Sequence, residues 1–102
     1  MWAQINVHTL IAVKITFDPA KRDKVLMERG LDFALAGQVF DGRTATIEDL
    51  RKAYPEPRFI TAGILNARIV VIVWTPTALG RRIISMRYCH DDEARRWREQ
   101  MG

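Results

Sequence analysis

Arginine sets the chemistry open to this chain. Of its 16 basic residues, twelve are arginine and four are lysine, against 12 acidic residues, which leaves a net charge of +4 and a pI near 9.7. A guanidinium grips phosphate through a planar, two-pronged fork, whereas an ammonium acts as a point charge. Three arginines fall within Arg81-Arg82-Ile83-Ile84-Ser85-Met86-Arg87, Arg58 opens an apolar run, and Arg95, Arg96 and Arg98 crowd the C-terminal end. That pattern fits a partner carrying phosphate or acidic side chains. It equally fits a solvated surface rich in arginine.

Other chemistries have weaker support. Glycine-rich phosphate loops, Gly-x-Ser-x-Gly elbows and Cys-x-x-Cys pairs are all missing from the sequence. Ser85, the only serine, sits mid-run with no histidine close by in sequence, so a packed hydroxyl is the simpler reading than a nucleophile. Cys89-His90-Asp91-Asp92-Glu93 offers metal-ligand types, but neighbouring side chains diverge and no second pair stands at a metal-site spacing. The same acids suit a helix N-terminus, where the backbone dipole favours negative charge. Cys89 is the lone cysteine, which excludes an internal disulfide and allows a reducing compartment. With no run of about 18 apolar residues and no basic leader in Met1-Trp2-Ala3-Gln4, a cytoplasmic protein with no membrane partner is expected.

The elements that must position these residues follow from periodicity. From Ile5 to Phe17 the odd positions are mainly apolar and the even ones mostly polar, an extended chain with one buried face that should break along its length. Asp18-Pro19 starts a helix, which runs to about Arg29 and stops at Gly30. Asp32 caps a second, shorter helix carrying Phe33, Ala36, Val39 and Phe40 and ending at Asp41-Gly42. Strands are expected at Thr44–Ile47, Arg58–Leu65, Ile69–Thr75 and Arg81–Tyr88, with a loop over Leu50–Pro57 and turns at Asn66-Ala67 and between Pro76 and Gly80. Ile69–Trp74 is apolar on both faces and should be central, covered twice. Asp91 or Asp92 should cap a terminal helix with Ala94, Trp97 and Met101 as its apolar stripe. The sum is an α+β fold: an antiparallel meander of three to four strands, two helices before it and one after, in one domain over residues 1–102.

Strict alternation in the last strand groups Arg81, Ile83, Ser85 and Arg87 on one face, and Arg82, Ile84, Met86 and Tyr88 on the other. The second set is more apolar and should face the core. That leaves Arg81 and Arg87 on the wetter side, about 20 Å apart. An arginine-bearing sheet beside a basic helix could hold an RNA phosphodiester and stabilise its pentacoordinate transition state.

Five segments, in order, resemble the BrnT toxin family: Phe17-Asp18-Pro19-Ala20-Lys21, Arg29-Gly30-Leu31-Asp32-Phe33, Val39-Phe40-Asp41, Arg58 to Gly63, and Arg82-Ile83-Ile84-Ser85-Met86-Arg87. The resemblance implies a RelE-like fold and a type II toxin, a metal-independent endoribonuclease with no cofactor that cleaves RNA and inhibits translation. It also implies a BrnA-like antitoxin whose ribbon-helix-helix part binds operator DNA, so that DNA is reached only through the partner. On this reading Arg58, Arg82 and Arg87 clamp the phosphate while the ribose 2′-OH attacks it, and His90 or Glu93 manages protons, with Tyr88 and Lys21 as further candidates. Lys21, Arg29, Arg81, Arg95 and Arg96 are the expected RNA contacts.

Some positions depart from the family pattern. Glu28-Arg29 replaces Lys-His before the glycine, Pro57 replaces the Glu ahead of Arg58, although Glu56 is adjacent, and Trp97 stands where tyrosine is frequent. These changes keep the phosphate-binding groups and remove two proton carriers. The lost carriers favour a rival function, a catalytically degenerate module that binds the antitoxin and serves as co-repressor. The retained arginines favour the enzyme, which is the leading reading because charge stabilisation is often the largest catalytic contribution. Residues 1–12 lie outside the resemblance, as an upstream extension or an adventitious edge strand; Val13-Lys14-Ile15-Thr16-Phe17 would itself make a normal opening.

Overall fold

The computed structural model describes residues 13–102. Strand β1 (Lys14–Thr16) leads into helix α1 (Pro19–Arg29), a 3-10 turn (Phe33–Leu35) and helix α2 (Ala36–Asp41). Four strands follow, β2 (Ala45–Glu48), β3 (Phe59–Leu65), β4 (Arg68–Thr77) and β5 (Gly80–Tyr88), and helix α3 (Asp91–Met101) closes the chain. The expected strand from Ile5 survives as β1 within the described residues; its earlier part lies outside them.

Local signals place most boundaries. The Asp18 carboxylate accepts from the Ala20 N–H at 3.2 Å, Pro19 occupies the first turn of α1, and Gly30 ends it at φ 68°. Asp32 caps the 3-10 turn through the Ala34 N–H and takes two bonds from the Arg22 guanidinium, at 2.8 and 2.7 Å. Arg22 thereby ties α1 to the start of the next helical segment, and its hydrogen bonds hold the Asp32 carboxyl down at about pH 2. The N-cap of α3 is His90 rather than an aspartate; Asp91, Asp92 and Glu93 fill the first turn, where their charge suits the helix dipole.

The sheet has five strands in the order β1-β5-β4-β3-β2, and it is mixed rather than a pure antiparallel meander. β1 lies parallel to β5, with Lys14, Ile15 and Thr16 opposite Gly80, Arg81 and Arg82, while the other pairs are antiparallel. A parallel neighbour needs a long crossover, and everything between β1 and β5 supplies it. Periodicity reveals that β1 is extended, but it does not reveal the direction of its partner.

β4 is central, as its two apolar faces require. One layer packs Val70 and Ile72 with Ile83 and Met86 against Val25, Leu31, Phe33, Ala36 and Val39 from the helical segment. The opposite layer is smaller: Ile69, Val71, Ala62 and Cys89 meet Ala94, with Trp97 and Met101 packed on them, so the expected stripe on α3 is the buried one.

A bulge in β5 overturns the expected division of its side chains. Val73 pairs with Ser85 but Trp74 pairs with Ile83, so Ile84 has no opposite residue. One extra residue reverses alternation on either side of it. Ile83 and Met86, expected on opposite faces, therefore share one core. Arg81, expected beside Arg87, lies instead over the Phe40 and Trp74 rings of the helix-packed layer, 4.2 and 5.2 Å from their centroids. Arg82, expected on the core face, joins Arg87 on the other side of the sheet.

Gly80 fixes the β1–β5 contact. Its φ is +145°, and a methyl group there would meet the Lys14 carbonyl oxygen and lie 2.7 Å from the Lys14 nitrogen. Both obstacles are backbone, so neither can swing away. Gly80→Ala is expected to detach β1 and lower stability by about 2–4 kcal/mol. Urea unfolding would register this as a lower midpoint, with amide exchange rising first at Lys14–Thr16.

Candidate active groove

α3 covers only part of its side of the sheet. Two adjoining hollows remain open, of about 410 and 430 Å³, and they share Arg58 and Ile84. The first is bounded by Asp18, Lys21, Glu56, Thr75 and Arg82, and the second by Arg51, Ser85, Arg87, Glu93 and Trp97 over a floor of Ile60, Val71 and Val73. The bulge at Ile84 lies on the floor between them and is what brings Arg82 and Arg87 to one groove.

Each arginine reaches the groove from a different element. Arg58 precedes β3; its guanidinium lies 4.1 Å from the Tyr54 ring centroid and its Nε donates to Glu56 Oε1 at 3.0 Å. Arg82 rises from β5 ahead of the bulge and is exposed. Arg87 rises after it and donates both terminal nitrogens to Glu93 on α3, at 2.8 and 2.7 Å. A fourth guanidinium, Arg51, is not among the residues the sequence singled out. The buried Asp49 carboxylate receives the Arg51 backbone N–H at 3.2 Å and its Nε and terminal nitrogen at 2.8 Å each, which fixes the start of the loop and sets Arg51 at the groove wall. The Asp-x-Arg spacing at 49–51 was the available signal.

Electrostatics follow from these pairs. The Arg87 hydrogen bonds, aided by the Cys89 thiol and the His90 backbone N–H, hold the Glu93 carboxyl at about pH 2 against the opposing effect of burial. Arg87 is raised above its ordinary value by the same carboxylate. Burial, with Glu93 nearby, pushes the Cys89 thiol up to about 12, so it is neutral at physiological pH. Among the described residues no three His, Cys, Asp or Glu side chains converge as a metal site.

The remaining candidates divide. Lys21 lines the first hollow and Glu93 the second. His90 is exposed and is in neither lining. Arg29 lies along α1 in a separate hollow and donates to the Met86 carbonyl at 3.1 Å. Arg95 is exposed and pairs with Asp92 at 3.3 Å, and Arg96 borders a further hollow with Ile47, Glu93, Trp97 and Gln100. The Tyr88 hydroxyl accepts from Asn66 Nδ2 at 3.0 Å, on the far side of β5 from Arg87.

A groove ringed by guanidinium forks, three of them (Arg51, Arg58 and Arg87) paired with carboxylates, suits a phosphodiester, and comparison with known families agrees. The model of the family described as "Ribonuclease toxin, BrnT, of type II toxin-antitoxin system" matches residues 17–93. The chain belongs to the BrnT family. The match runs from Phe17 through Glu93, so it takes in Lys21, Arg58, Arg82, Arg87 and Glu93 and stops short of Arg95, Arg96 and Trp97. Membership in BrnT makes this a ribonuclease-type toxin of a toxin–antitoxin pair, with RNA as target and an antitoxin as partner. No curated protein matches the sequence. Among the described residues, no helix is long and apolar enough to cross a membrane.

Proposed function

We propose that the chain is a metal-independent endoribonuclease that uses the RNA's own 2′-OH as nucleophile. The observation carrying this reading is the convergence of Arg58, Arg82 and Arg87 on one groove, with Lys21 at one end and Glu93 at the other. A phosphate entering at Arg58 would exchange places with the carboxylates that the guanidiniums now hold. O2′ attacks phosphorus as the bond to O5′ breaks, giving a 2′,3′-cyclic phosphate and a free 5′-OH. Glu93 takes the proton from O2′, and Lys21 supplies one to O5′. Opposite ends of the groove suit an in-line displacement, in which base and acid flank the phosphorus. The arginines offset the charge that builds on the equatorial oxygens, often the largest catalytic contribution. Trp97, beside Arg87, offers a ring on which an unpaired base can stack.

The partner is a BrnA-like antitoxin, and the complex reaches operator DNA through it. The rival function, a binding module without catalysis, draws support from the paired state of Arg87 and Glu93 and from the absence of His90 from the groove lining. A direct test incubates purified protein with 5′-labelled single-stranded RNA in EDTA. Cleavage leaving 2′,3′-cyclic phosphate ends is expected; intact RNA from folded protein would select the rival.

A further inference from the structure

Arg51 differs from the other groove arginines in what holds it. Glu56 and Glu93, the partners of Arg58 and Arg87, are partly exposed, so an incoming phosphate can take their places. The Asp49 side chain is fully buried, while the Arg51 side chain over it is 64% exposed. Asp49 also accepts the Arg51 backbone N–H, and its own N–H donates to the Arg58 carbonyl at 2.8 Å, which ties this anchor to the start of β3. The Arg51 hydrogen bonds hold the Asp49 carboxyl down at about 2, so it stays an anion at neutral pH. Drawing Arg51 off would leave that buried anion without its cation, which is strongly unfavourable. Arg51 is therefore a fixed donor.

Its fork is only partly used. Nε and one terminal nitrogen serve Asp49; among the described residues the other terminal nitrogen has no partner, and it carries two N–H donors. Arg51 borders the hollow that holds Arg87, Glu93 and Trp97, and is absent from the one that holds Lys21 and Arg82. Its charge opposes that of Arg87, so the two guanidiniums are near neighbours. With Glu93 acting on O2′ and Lys21 on O5′, RNA runs 5′ to 3′ from Glu93 toward Lys21. That direction sets Arg51 upstream of the scissile phosphate.

We propose that Arg51 grips the phosphate one nucleotide upstream of the cleaved bond, and that Asp49 is the positioning residue that aims its unused donors there. The ribose carrying the attacking O2′ is then held through both of its phosphates, the kind of restraint that in-line attack requires. A donor already fixed before RNA arrives loses little freedom on binding. The upstream assignment rests on the ribonuclease reading, whereas a second phosphate site at Arg51 does not.

The test uses RNA pentanucleotides of randomised sequence in which only the central ribose keeps its 2′-OH, so a single linkage can be cleaved. In a second set a neutral methylphosphonate replaces the linkage just upstream of that ribose, and in a third it replaces the linkage after the cleaved one. Upstream replacement should lower kcat/KM of the parent protein by about tenfold, the worth of one charge-assisted contact. Arg51→Ala and Asp49→Asn should lose most of that sensitivity, whereas Arg58→Ala should be slow on both substrates and keep the ratio. A ratio within one protein is not moved by a general loss of folded material. Arg51→Lys, whose ammonium can still neutralise Asp49, replaces the other variants if they do not fold. A parent indifferent to the upstream linkage, sensitivity confined to the downstream one, or sensitivity undiminished in the Arg51 variants would each overturn the proposal. If the parent cleaves no RNA, salt dependence of binding to fully 2′-O-methylated pentanucleotide decides. A log–log slope shallower by about 0.7 in Arg51→Ala would keep the second phosphate site and remove the ribonuclease reading. Equal slopes would remove both.

Discussion

Arg87→Ala should lower RNA cleavage by about 10²–10³-fold, the loss typical when a positioned donor to a developing oxyanion is removed. The Arg87 side chain is 42% exposed, and its partner Glu93 is 26% exposed. Such a pair adds little to stability because solvent screens it, so the variant should fold with a near-native urea midpoint. Activity and stability therefore separate cleanly at this residue. Arg87→Lys should recover little, since an ammonium cannot reproduce the two-pronged fork. Arg58→Ala should show a loss of similar size. If both guanidiniums hold one phosphate, the double variant should fall well short of the product of the single losses. Single-turnover cleavage of a short oligonucleotide measures all four. Wild-type rates in a folded Arg87→Ala protein would remove Arg87 from the site.

Much of the architecture was legible because it rests on local rules. Asp18-Pro19 and Gly30 bound α1 as their capping chemistry requires. Asn66 and Ala67, at φ 53° and 62°, make the tight hairpin turn that their position between two β-rich runs suggests. Ile69–Trp74 is central because no other location buries both its faces. The arginine constellation was legible in type but not in geometry. A bulge depends on how β5 meets β4, not on the composition of β5, and this one moves Arg81 out of the groove and Arg82 into it. Direction is non-local too, which is why the parallel pairing of β1 did not show. His90, adjacent in sequence to the last strand, looked well placed beside Arg87. The α3 start instead leaves it exposed at the helix cap and turns Glu93 toward the arginine.

Glu93→Gln should slow cleavage by about 10²-fold, within the range general bases contribute. The amide keeps the shape and can still accept from Arg87, so the change removes the basic oxygen with little effect on the groove wall. The pH profile separates this role from an imidazole's. Glu93 sits at about pH 2 in the free protein because Arg87 stabilises its anion. A base must be deprotonated to act, and kcat/KM reports the ionisation of the free enzyme. With Glu93 as base, kcat/KM should therefore stay level as pH falls from 7 to about 4 and decline only on approach to about 2. An imidazole base would instead impose a decline centred near pH 6.5. His90→Ala should accordingly leave both the rate and the profile unchanged. Phosphate binding acts on Glu93 in the opposite direction. When substrate draws the Arg87 fork away, Glu93 loses the interaction that stabilises its anion, so its basicity rises just where the 2′-OH must be deprotonated. A carboxylate that is quiet in the free protein becomes a competent base only beside bound RNA, so the acid limb of kcat, which reports the complex, should lie at higher pH than that of kcat/KM, and coincident limbs would remove the coupling.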